Sequence, residues 1–470
     1  MKTDFSKLER AFNPQCVVVV GDSKRNNFQW LRGQGRFKGK LYSVQVNPET
    51  IKDIEALGIT NYTSLRDIPE PVDLVIVTAP RSAAIQILED CIAKEVAAAH
   101  FFTSGFAETD TEEGVGLERT IKEKAEQANF HLIGPNCMGI FNPRVGIGQN
   151  INQYNNDTGT VGFISQSGTH AQNFAYEAHV QGVDISKSVS FGNGTVLDST
   201  NYLEYFGSDP ECKIIGMYLE GVKDGRWFFQ VLREVTARKP VVIWKGGRTE
   251  DGGRAISSHT GSLAVPQTIW ESAVRQCGAV QVARMEELID TLKALLFLPS
   301  IRGNRVGITG GSGGQSVAIA DVFAEAGLSV PNLTQESYDQ LMEFYSLIGG
   351  GYRNPVDTGN QNSREMGRIL EILGRDANID SLVLLSAGGM GGSDRLQNQI
   401  DLLADIGKKN SKAVVAVVSY YAPDQMRAAR DATKSFQKSG IPTFPTMERA
   451  ALALKNTLEY YQRINGADTR

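Results

Sequence analysis

At 470 residues the chain is too long for one ordinary core, and its length predicts about three domains. Its make-up, 41% hydrophobic and 21% charged with a formal net charge of −5, is that of a soluble globular protein and argues against sequence-independent nucleic-acid binding, which needs a basic surface, while leaving room for local basic patches. No apolar run reaches the roughly 18 residues of a membrane helix, the first ten residues lack the apolar stretch of a secretory leader, and five scattered cysteines without CxxC spacing fit a reducing cytoplasm.

Short β-branched runs, each followed by a longer helical pattern, predict parallel sheets covered by helices on both faces. In a first unit, residues 1–148, strands are expected at Cys16–Val20, Leu41–Val46, Leu74–Thr78, Ala99–Phe102 and Phe130–Ile133. Each closes on small or turn residues, where open α/β sheets bind their ligands. The polar stretch Gln149–Asp157 reads as a linker. A second unit, residues 158–300, opens with Thr160–Ile164 and continues through Lys187–Phe191, Ile214–Leu219 and Val241–Trp244. A third, residues 303–465, has strands at Arg305–Thr309, Ser381–Leu385 and Ala413–Val418. The reading is α/β with three doubly wound domains.

The turn Gly21-Asp22-Ser23-Lys24 can offer backbone N–H groups to a phosphate at a helix N-terminus, and serves equally as an ordinary strand-to-helix turn. It is not GxGxxG, which speaks against a nicotinamide-dependent dehydrogenase. Asn47, Pro80, Ser104-Gly105 and Gly134–Gly139, with Asn136, close other strands of the same unit and can line one crevice for a nucleotide-like ligand. Ser165-Gln166-Ser167-Gly168 and Gly310-Gly311-Ser312-Gly313-Gly314 are strand-to-helix turns suited both to helix capping and to holding an anion. The P-loop pattern GxxxxGK[ST] is absent.

Glu220 ends a strand, where a carboxylate can orient an imidazole; a bare Glu before a turn is more often a solvated charge. His259 stands in the glycine-rich, unpatterned stretch Gly246–Ser262, read as a movable loop. Histidine can act as a covalent nucleophile and is largely neutral at physiological pH, so His259 is the candidate carrier of a phosphoryl group between two sites. His100, His131, His170 and His179 lie in or beside apolar patterns and are read as structural. The scattered histidines give no metal-ligand spacing, and Cys137 has no partner histidine near in sequence.

With these residues in view, the chain resembles, over nearly its whole length, the alpha subunit of NDP-forming (ADP-forming) acyl-CoA synthetases, and more distantly that of succinyl-CoA synthetase. Ser258-His259-Thr260-Gly261-Ser262 matches the family's phosphohistidine motif, and Tyr218-Leu219-Glu220-Gly221 resembles the strand end whose glutamate supports that histidine. Ser165–Gly168 looks like the loop capping a helix aimed at the active-site phosphate, and Gly134–Gly139 like the motif closing the CoA domain; Gly192-Asn193 and Asn354–Asp357 also match. The resemblance implies an N-terminal Rossmann-like CoA-binding domain followed by two flavodoxin-like domains.

It further implies that Gly21, Ser23, Lys24, Asn47, Pro80, Ser104, Gly105 and Asn136 contact coenzyme A. Ser165, Gln166, Ser167, Gly168, Gly311, Ser312, Gly313 and Gly314 would hold phosphate, with His259 and Glu220 catalytic. ATP or ADP and Mg²⁺ would sit on a separate ATP-grasp beta subunit, commonly in a heterotetramer. The alternative is a non-catalytic CoA- or acyl-CoA-binding regulator on the same scaffold. Two departures stand out: Lys24–Trp30 replaces the family's proline- and glycine-rich phosphate turn, and Val196 stands where an acidic residue is usual, although Asp198 is kept.

Overall fold

A computed structural model describes residues 3–153, 158–260, 266–347, 351–358, 362–387, 393–420 and 423–467. The chain packs into two compact units, Met1–Met285 and Glu286–Arg470. Among the described residues no helix is long and apolar enough to cross a membrane.

The first unit holds two sheets. The first sheet contains β1 (Cys16–Val20), β2 (Lys40–Val44), β3 (Thr60–Tyr62), β4 (Leu74–Val77), β5 (Ala98–Phe101) and β6 (His131–Ile133). All its pairings are parallel, in the order β3-β2-β1-β4-β5-β6. That is the dinucleotide-fold order, whose direction reverses between β1 and β4. The unbroken valines of β1 and the Leu-Val-Ile-Val of β4 are buried along their whole length because helices cover both faces.

The second sheet contains β7 (Gly139–Phe141), β8 (Val161–Ser165), β9 (Ile185–Ser190), β10 (Ile214–Leu219), β11 (Val241–Lys245) and β12 (Val280–Val282), in the order β12-β11-β10-β8-β9-β7. β8 to β12 make the flavodoxin-like order, with its reversal between β8 and β10. β7 is added antiparallel beside β9, although in sequence it directly follows the first sheet. In the second unit, β13 (Val306–Thr309), β14 (Ser381–Ala387), β15 (Ala413–Ser419) and β16 (Thr443–Phe444) form a parallel sheet in that order. Isolated parallel bridges at Arg305–Ser329 and Thr309–Val356 flank β13.

Of the expected linker Gln149–Asp157, Gln149 and Gln153 are buried and Ile151 and Asn152 exposed, and the Gln149 amide donates to the Gly139 carbonyl at 2.9 Å. Residues 154–157 lie outside the described residues. The stretch after β11 is not wholly a loop, because Glu250–Thr260 is an α-helix. Glu250 and Asp251 fall in its positive first turn, Arg254 pairs with both, and Ile256 packs back onto Gly247. These contacts offset the low helix propensity of Gly252 and Gly253.

Candidate functional site

The C-terminal edge of the first sheet gathers most of the residues expected to contact CoA, since Gly21, Asn47, Pro80 and Ser104-Gly105 follow β1, β2, β4 and β5, which are neighbours. Gly21 has φ of +85°, and a Cβ there would overlap the backbone of Ala79, so the two strand ends touch.

The chain's own side chains already use several backbone donors on this edge. The buried Asp22 carboxylate accepts from the N–H groups of Ser23 (3.0 Å), Trp30 (3.1 Å) and Leu31 (2.9 Å). Burial raises its pKa, opposed by those hydrogen bonds. Glu108 accepts from Gly105 and Phe106, and Asn47 caps its own helix by accepting from Glu49 and Thr50. Lys24 is exposed, 3.8 Å from Asp53. Asn136 adjoins the same edge: it adopts φ of +56° after β6, its N–H donates to the Thr103 carbonyl at 3.0 Å, and its amide contacts Asn193, which donates to Glu108 and Glu118.

A tighter cluster forms in the second sheet at the β8/β10 reversal. The turn after β8 leads into the helix Gly168–Val180, capped by Ser167 through the His170 N–H. Ser165 Oγ donates to the Ser167 carbonyl at 2.6 Å. Gln166 turns across to β10, where its side-chain oxygen accepts from the N–H groups of Glu220 (2.9 Å) and Gly221 (3.2 Å). Gln166 thus braces Glu220 through its side chain. Glu220 is 6% exposed, and the Tyr218 hydroxyl donates to its Oε1 at 3.3 Å. A Cβ on Gly246 would lie 2.8 Å from that hydroxyl and 3.5 Å from Glu220 Cγ, so the start of the segment leading to His259 lies against both residues.

His259 itself is in the last turn of the helix Glu250–Thr260, which runs against the turn Ala107–Thr109 of the first sheet. The His259 imidazole, Gly261 and Ser262 lie outside the described side chains and residues.

Sequence reasoning missed three members of this cluster. His170, read as structural, packs its ring 4.3 Å from Tyr218 and 4.6 Å from Trp244; burial lowers its pKa, opposed by Glu220. Tyr218 was noted only as part of a motif. Lys245, at the end of β11, is buried and donates to the carbonyls of Glu220 and Gly246. A lysine closing an otherwise apolar strand was the available signal. In contrast, burial pushes the Cys137 thiol up to about 12, which removes it as a nucleophile at neutral pH.

The Gly310–Gly314 turn belongs to the second unit. It follows β13 and opens the helix Gly313–Glu325, with the Ser312 N–H donating to Gln315 at 3.2 Å. Gly310 takes φ of +105° because its backbone lies against Leu385. Among the described residues no group of three or more His, Cys, Asp or Glu is placed to hold a metal ion.

Comparison with known proteins gives two family matches. Residues 16–143 match a CoA binding domain, and residues 158–295 match a succinyl-CoA ligase like flavodoxin domain. The chain is 32% identical over 469 residues to the acetate–CoA ligase [ADP-forming] II subunit alpha of Pyrococcus furiosus, covering 98% of this chain and 99% of that one. It is 33% identical over 465 residues to the acetate–CoA ligase [ADP-forming] I of Archaeoglobus fulgidus, but spans only 64% of that longer protein. Among solved structures, the dinucleotide forming acetyl-coenzyme A synthetase 1 of Ca. Korarchaeum cryptofilum, in complex with phosphate and ADP, matches with a TM-score of 0.83 and 29% identity over 98% of this chain and 97% of that one.

Proposed function

We propose, from the premise that this chain belongs to the ADP-forming acetate–CoA ligase family, that it is the alpha subunit of an ADP-forming acyl-CoA synthetase. Inorganic phosphate attacks the thioester carbonyl of an acyl-CoA, giving an acyl phosphate and free CoA. An imidazole nitrogen of His259 then attacks the phosphorus, the carboxylate leaves, and the phosphohistidine passes its phosphoryl group to ADP. The full-length likeness to ligase alpha subunits favours this over a non-catalytic regulator.

The observation that carries the reading is the meeting of three elements at the β8/β10 reversal: the Ser165–Gly168 turn opening a helix, the braced carboxylate of Glu220, and the start of the segment bearing His259. A helix N-terminus holds a phosphate by its dipole and free N–H groups, a preorganised charge that needs no reorganisation during transfer. Glu220 orients the imidazole and leaves its other nitrogen as the nucleophile. The Gly311–Gly314 turn is assigned the same anion-holding role. CoA lies along the first sheet's C-terminal edge, with Lys24 and Arg25 supplying charge where backbone donors are taken.

The domains are set at 1–148, 158–300 and 303–465. Nucleotide and Mg²⁺ are placed on a separate ATP-grasp beta subunit, with which the chain forms a heterotetramer in the cytoplasm. The test is to incubate the chain and its nucleotide-binding partner with γ-³²P-ATP and Mg²⁺. An acid-labile, base-stable label is expected on wild type and absent from His259→Ala; equal labelling of the two sinks the assignment.

A further inference from the structure

We infer that Lys245 is a positioning residue for the phosphoryl relay: its buried ammonium clasps the strand end carrying Glu220 to the start of the segment carrying His259. The inference rests on the relay reading above.

Lys245 is the last residue of β11 and pairs in register with Leu219, one residue before Glu220. Its side chain therefore runs along the sheet face that carries Leu219, and its Nζ curls round the strand ends to donate to the Glu220 carbonyl at 2.8 Å and the Gly246 carbonyl at 2.6 Å. These acceptors stand on adjacent strands just where the β-ladder stops. One ammonium fixes both, since it carries three N–H donors in tetrahedral array.

From the other side, Gln166 holds the Glu220 and Gly221 N–H groups, and Tyr218 holds the carboxylate. Both backbone polar groups of Glu220 are thus clamped, one by the phosphate turn and one by Lys245. The second arm of the clasp leads onward. Gly246 is followed by Gly247, at φ of +65°, on which Ile256 packs; His259 stands three residues later in the same helix. Lys245 therefore spans the two elements whose mutual placement decides whether the imidazole meets Glu220.

The choice of lysine is informative. At 2% exposure its cation has carbonyls as hydrogen-bond partners and the Trp270 ring centroid 5.7 Å away, and burial lowers its pKa, opposed by the Glu220 charge. Desolvating a cation is expensive. An apolar side chain would fill the same space without that cost, but could not tie two carbonyls together.

The experiment uses the full chain in complex with its nucleotide-binding partner and follows single-turnover labelling from γ-³²P-ATP with Mg²⁺. Lys245→Met keeps the length and loses the donors. It is expected to label at least ten times more slowly than wild type per folded molecule, while CoA affinity stays at the wild-type value and the melting temperature falls as the Glu220 and Gly246 carbonyls lose their donor. Gln166→Met, which opens the clamp from the opposite side, is expected to slow labelling as well, and serves if Lys245→Met does not fold. Wild-type labelling rates in a folded Lys245→Met overturn the inference and leave the His259 relay standing. So does a Lys245→Met whose labelling falls only in proportion to lost folded protein, alongside a normal Gln166→Met. Equal labelling of wild type and His259→Ala removes the relay, and the clasp's role with it.

Discussion

His100 and His131 are sealed within the first sheet, at 1% and 0% exposure, and burial pushes their pKa values down to about 3 and about 4. The His100 ring leaves no room for a side chain at Gly139 and packs edge-on to Trp30 at 5.0 Å. In the unfolded chain both histidines titrate near 6.5. Because the folded values are depressed, their stabilising contribution is complete above about pH 6.5 and is lost as pH falls toward 4, at about 1.4 kcal/mol per pH unit per histidine. Denaturant midpoints of wild type should fall steadily from pH 6.5 to 4.5, and the slope should flatten in His100→Phe. Asp22 provides a second residue-scale test. Asp22→Ala leaves three backbone N–H groups without their acceptor and should cost about 2 kcal/mol of stability. If CoA's diphosphate competes for that turn, the same change tightens CoA binding several-fold by calorimetry; an unchanged affinity places the diphosphate elsewhere.

Ser167 links the two uses of its helix. Ser167→Ala removes the cap on Gly168–Val180 and should cost about 1 kcal/mol in a denaturant titration, while weakening inorganic phosphate binding. The strands were largely legible because buried parallel strands are written as continuous apolar runs, as in Val17–Val20 and Ile214–Leu219. The four that escaped notice, β3, β7, β12 and β16, are each two or three residues long and stand at the edges of their sheets. An edge strand needs no long apolar run, since it has a neighbour on one side only. The helix Glu250–Thr260 was hidden for a different reason: Gly252 and Gly253 dominated its local signal, whereas its stabilising partners, Arg254 with Glu250 and Ile256 with Gly247, appear only once the turn is formed. Likewise Ser165, Ser167 and Glu220 were legible as turn and strand-end chemistry. The brace from Gln166 and the reach of Lys245 were not, because they join residues 54 and 25 positions apart across a sheet.

On the scale of the whole molecule, two compact units predict two overlapping transitions in calorimetry rather than one. Asp290 offers a way to separate them. In the second unit its buried carboxylate meets Arg449 at 2.9 Å and Lys293 at 3.7 Å, while Lys293 also donates to the Thr443 carbonyl. Asp290→Asn should lower the second-unit transition by about 3–5 kcal/mol and leave the other unchanged; a shift of both would mean the units melt together. Within the first unit the boundary between sheets is less clean than the chain order suggests. After closing the first sheet at Ile133, the backbone lends Gly139–Phe141 to the far edge of the second before β8 begins. Anyone exchanging CoA modules between related ligases would therefore carry a foreign border strand into the recipient if the splice fell between Phe141 and Val161; a graft joined ahead of Gly139 lets the host supply its own hem.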